Sequence, residues 1–103
     1  MKPVVLLGVV LALLTPASAD QFEDDLGKLT AGLPPDAVAV VTRRVMCNHW
    51  TGEEPYDKAR AREIARAVKQ NKCNSLKGDE AAVRKRYPKD PKVIKALNDA
   101  QDF

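Results

Sequence analysis

The chain reads as an all-α protein: a single small domain of three to four helices, stapled by one disulfide and carrying an extended strap at residues 48–56. Three observations predict this. Apolar residues recur at helical spacing with no sustained alternation. Prolines and capping residues divide the chain into short segments, with no internal repeat or low-complexity run. Two cysteines follow an export signal.

The export signal comes first. Lys2 supplies a positive start, Val4 to Leu14 is apolar throughout, and Ala17-Ser18-Ala19 offers a small-x-small cleavage site. The apolar run is about eleven residues, against the roughly 20 that a membrane span needs. Residues 1–19 are therefore expected to be a signal peptide. A bacterial periplasmic or secreted protein of residues 20–103 is the expected product. Removing Lys2 takes the 17 Lys and Arg to 16 against 14 acidic side chains, a net charge of about +2. That is too mild to argue for nucleic acid, so no nucleic-acid partner is expected.

A domain this small buries only about 60–65% of its unfolded surface and commonly needs a staple. Cys47 and Cys73 meet an oxidising compartment, so an intramolecular disulfide is expected. The chain-entropy model gives about 3.5 kcal/mol for a loop of this length. No C-x-x-C spacing is present to favour a redox role.

Residues 20–33 open with Asp20, Glu23, Asp24 and Asp25, and Gly27 and Gly32 interrupt them. Phe22, Leu26 and Leu29 stand at helical spacing, but the glycines favour a flexible acidic arm. The helical domain is expected over 34–103. Pro34-Pro35 suits a helix start, and Val38, Val41 and Val45 give one apolar face, with Val40 adding width. The next helix begins near Pro55 and Asp57; it is alanine-rich, with Ala61, Ile64 and Val68 inward and Arg60, Arg62 and Arg66 mostly outward. A third is expected from Asn74 or Ser75 to Tyr87, with Leu76, Val83 and Tyr87 as its stripe. Asp79 and Glu80 interrupt that stripe; each is either a solvated surface charge or a partner for Arg43, Arg44 or Arg60. Asp90 followed by Pro91 is a strong start for the last helix, whose Val93, Ile94, Leu97 and Ala100 face inward.

The strap follows from the staple. A helix ending near Thr51 and turning tightly at Gly52 would leave Cys73 about 24 Å from the turn. Disulfide Cα atoms lie within about 7 Å of each other. Ending that helix near Cys47 and running the chain extended to Tyr56, a reach of about 30 Å, removes the conflict.

The stretch Cys47–Asp57 concentrates the only histidine, the only tryptophan and three carboxylates. Candidate interaction or ligand residues are His49, Trp50, Glu53, Glu54, Tyr56 and Asp57. Trp50 and Tyr56 are natural anchors, and the acids suit the start of a helix. His49 with the carboxylates could serve as a weak metal candidate, although zinc wants three or four ligands and the cysteines are spent. Adjacent Glu53 and Glu54 are poorly placed as an acid–base pair, and no nucleophile elbow occurs, so neither an enzyme nor a cofactor is expected. Arg84, Lys85, Arg86, Lys89 and Lys92 form a basic patch able to make a weak contact with an anionic membrane surface. The expected function is an exported module that binds a protein partner, such as an inhibitor or immunity-type factor. The alternatives are a metal- or small-ligand-binding module centred on His49, and an acid-stress chaperone of the periplasm.

Overall fold

The computed structural model describes residues 17–103, with side chains from Ala19 onward. The predicted signal peptide lies outside the described residues except for Ala17–Ala19. Five α-helices appear among the described residues: α1 (Ala17–Thr30), α2 (Pro35–Thr51), α3 (Lys58–Gln70), α4 (Leu76–Arg86) and α5 (Pro91–Gln101). A 3-10 turn, Cys73–Ser75, joins α3 to α4. There is no strand among these residues, and no helix long and apolar enough to cross a membrane. The all-α fold with one disulfide is as the sequence predicts.

α2 is the central element and touches all four other helices. Pro35 takes its first position, and the Asp36 carboxylate accepts from the Ala37 amide at 3.0 Å. Ala37, Val40, Val41 and Val45 are buried along one face. They meet Leu76 and Val83 of α4 and Val93, Ala96, Leu97 and Ala100 of α5 in one core. The Asp90 carboxylate caps α5 by accepting from the Lys92 and Val93 amides, as the Asp-Pro pair predicts.

Two expectations are corrected. Residues 20–33 are not a flexible arm: they lie mostly in α1, whose Phe22, Leu26 and Leu29 pack against the core. Their spacing puts all three on one face, and this burial outweighs the propensity cost of Gly27, which sits exposed with open space around it. The acids occupy the solvent side. The true break comes at Gly32, whose φ of 76° is a left-handed conformation that glycine adopts without strain.

The strap is also shorter than 48–56. α2 continues one turn past Cys47 to Thr51, leaving Gly52–Asp57 as the connection. The extra turn has a tertiary anchor: the Asn48 side-chain amide donates to the Ala100 carbonyl at 2.9 Å, satisfying a group at the end of α5. The distance conflict disappears because α3 runs antiparallel to α2 and overhangs it. Arg43 donates to the Asn71 and Lys72 carbonyls at the end of α3, whereas Trp50 borders Glu63, Arg66 and Ala67 near its middle. The first turn of α3 therefore projects beyond α2, and residues 52–57 climb only as far as that overhang. Cys47 and Cys73 are bonded, with Cα atoms 5.7 Å apart.

α3 is the outlier. It touches only α2 and the 3-10 turn, and it buries only Ala67. Ile64 and Val68, expected inward, are half-buried, and Ala61 is exposed. With four helices already around the core, α3 has no apolar wall to face on its outer flank.

Candidate functional site

The helix end and the connection after it converge on one guanidinium. Asp57 stands at the N-cap of α3, and its carboxylate accepts from the Arg60 amide at 2.8 Å. This cap aims the Arg60 side chain back across the connection. There its Nη2 donates to both Glu53 carboxylate oxygens at 2.6 Å, and its Nε donates to Oε1 at 3.2 Å. Its third nitrogen donates to Glu63 at 2.7 Å. The guanidinium carbon lies 5.1 Å from the centre of the Trp50 ring and 6.0 Å from that of Tyr56, both within cation–π range.

The electrostatics follow from this geometry. The hydrogen bonds from Arg60 hold the Glu53 carboxyl below its ordinary value against a smaller opposing effect of burial. Reciprocally, Glu53 and then Glu63 raise the Arg60 guanidinium above its own. Glu53 is thus a fixed anion and a poor general acid at neutral pH. His49 Nε2 lies 3.2 Å from Glu53 Oε2, and its ring meets Trp50 edge-to-face at 5.2 Å. His49 therefore has a structural neighbourhood that its sequence position does not reveal.

The predicted residues divide accordingly. His49, Trp50, Glu53, Tyr56 and Asp57 are brought together around Arg60, whereas Glu54 is exposed and takes no part in the cluster. Tyr56 is 79% exposed, the most exposed large apolar side chain described. No group of three His, Cys, Asp or Glu side chains able to hold a metal exists among the described residues. The weak metal candidate His49 contacts Glu53, a carboxylate already shared with Arg60.

Two members of the basic patch have partners within the fold. Arg86 pairs with Asp36, which also accepts from the Tyr87 hydroxyl at 2.8 Å, tying the end of α4 to the start of α2. Arg84 donates to Asn98 at 2.8 Å. Lys85, Lys89 and Lys92 are exposed. Asp36 is held low by the Tyr87 hydroxyl first, and also by Arg86 and the Ala37 amide.

Both acids that interrupt the α4 stripe are paired, with Arg43 to Asp79 at 2.9 Å and Arg44 to Glu80 at 2.6 Å. Glu80 is 6% exposed and also accepts from Gln101 at 2.9 Å. Burial is the largest influence on its carboxyl and pushes it up. The hydrogen bonds from Arg44 and Gln101 together overcome that, leaving it below its ordinary value.

Two residues beside Trp50 escaped sequence reasoning. Phe22 and Met46, with Ala19, Glu23, His49 and Trp50, line an open groove between α1 and α2. The helical spacing of Phe22 was the available signal, but it gains meaning only once α1 is a helix. No protein-family model matches the chain, and neither does any curated protein or solved structure.

Proposed function

We propose that the protein is an exported interaction module that binds a protein partner, in the manner of an inhibitor or immunity-type factor, through the end of the molecule formed by Tyr56, Trp50 and His49. The observation that carries this reading is the exposure of Tyr56, 79%, next to a Trp50 ring already ordered by Arg60. Binding energy concentrates in aromatic and arginine side chains, and ordering them before contact reduces the entropy lost on association. The open groove beside Trp50 extends the same face with Phe22 and Met46.

The test places a photoreactive phenylalanine analogue at position 56 in producing cells, with the same analogue at exposed Ala81 as control. One discrete adduct from position 56, absent from position 81 and lost with Trp50→Ala, is expected. The adduct partner, purified, must then bind the unmodified protein. Equal or diffuse labelling from both positions would sink the proposal.

A further inference from the structure

The sequence directs attention to 84–92 as the basic surface, but the described side chains favour a different one. Lys58, Arg62, Arg66 and Lys69 of α3 stand at i, i+4, i+8 and i+11, a row about 16 Å long on the exposed face of the helix, with Arg66 at its edge bordering Trp50. All four are exposed, and every ion pair described on α3 belongs to Arg60. In the 84–92 patch, by contrast, Arg84 and Arg86 are already engaged.

Alongside this row runs a second feature that a solvated charge face does not need. Ala61, Ile64, Ala65 and Val68 recur at i, i+3, i+4 and i+7 on the adjoining flank. None is fully buried, although the helix has the most pronounced apolar–polar segregation of the five described helices. The stripe leads into a shallow, mainly apolar groove between Val68 and the Cys73–Ser75 turn, with Lys69 and Lys72 among its lining residues.

We infer that α3 is a docking face for an anionic phospholipid surface, with its cation row on the headgroups and its aliphatic flank at the acyl boundary. A soluble polyanion would engage the cations alone; a lipid boundary rewards cations and adjoining apolar side chains together. The disulfide at the end of α3 and the Asp57 cap at its start keep the helix formed without apolar burial on its outer side, so the face is presented already folded.

The test uses the protein as the cell makes it, disulfide intact, floated with vesicles of phosphatidylcholine alone or of phosphatidylcholine and phosphatidylglycerol in equal parts. Partition into the anionic vesicles only is expected. Arg62→Gln/Arg66→Gln/Lys69→Gln should weaken it about a hundredfold, from the usual gain per basic residue near such a surface. Lys85→Gln/Lys89→Gln/Lys92→Gln removes the same charge elsewhere and should cost several times less. Ala65→Asp, at an exposed position, should weaken partition without disturbing the helix by circular dichroism. Absence of a phosphatidylglycerol preference would overturn the inference, as would equal losses from the two triple variants. Binding to soluble polyglutamate as tight as to vesicles, with Ala65→Asp silent, would reassign the face to an acidic protein and overturn it too.

Discussion

α5 and α3 are each short helices beside α2, yet they are held there by different physics. α5 places Val93, Leu97 and Ala100 at full burial and adds Ala96. α3 buries only Ala67 and relies on polar and covalent ties: the Cys47–Cys73 bond, Arg43 on the carbonyls at its end, and Arg60 clasping Glu53 at its start. The difference teaches that burial and cross-linking are interchangeable as means of attachment but not in what they leave exposed. A helix attached through its apolar face spends that face. A helix attached by its ends keeps a flank for another purpose.

The largest effect should come from truncating the apolar side. Leu97→Ala removes a fully buried side chain and should cost about 4 kcal/mol by chemical denaturation, whereas Val68→Ala on half-buried α3 should cost under about 1 kcal/mol. Similar losses at the two positions would erase the distinction.

Next comes the covalent tie. The paired substitution Cys47→Ser/Cys73→Ser should cost about 3.5 kcal/mol for a separation of 26 residues. The loss should also be uneven, because α3 has little else to hold it. Hydrogen exchange should accelerate first over Lys58–Gln70, with α5 protected until global unfolding. Uniform acceleration would mean that α3 is held by more than its ends.

The smallest of the three effects concerns Glu80, the one buried charged side chain among the described residues. Glu80→Gln keeps the shape but leaves Arg44 uncompensated, and should cost about 2 kcal/mol at pH 7; exposure of roughly a fifth of the Arg44 side chain softens the penalty of an unpaired buried charge. Glu80 is held below its ordinary value, so its contribution is fully present above the unfolded pKa of about 4.3 and is lost as pH falls through the folded value. Melting temperature should therefore decline below about pH 4.3 in the wild type. Glu80→Gln should decline less over that range, and an equal decline in both would remove Glu80 from the acid response. Glu53 and Asp36, also held low, act in the same direction.

What could be read from the sequence follows the range of the interactions. The Asp90–Pro91 start, the Val41 and Val45 face and the disulfide partners depend on neighbouring residues or on a count of two cysteines, and they stand as expected. α1 was obscured because four acids and Gly27 within it, and Gly32 just beyond it, dominate the local propensity, while Phe22, Leu26 and Leu29 owe their burial to a core built later in the chain. The last turn of α2 depends on Asn48 reaching Ala100, 52 residues away. Three arginines and two acids allowed several pairings in and around the α4 stripe, and only the fold assigns Arg43 to Asp79, Arg44 to Glu80 and Arg60 to Glu53. Within the candidate site, the residues were legible but their centre was not. Arg60 reads in sequence as one of several outward arginines, and its role emerges only when the Asp57 cap sets its direction.

The bond from Asn48 to the Ala100 carbonyl has a consequence for the timing of folding. Asn48 is next to Cys47 on α2, so the turn that carries the staple is completed by a helix that emerges much later, α5. Gln101 reaches Glu80 from the same late segment. A nascent chain ending before residue 91 has its cysteines and most of its helical sequence but neither of these fastenings, nor Leu97. Such a chain would stay loosely packed, and α2 and α4 would lock into place only once the residues of α5 have joined them.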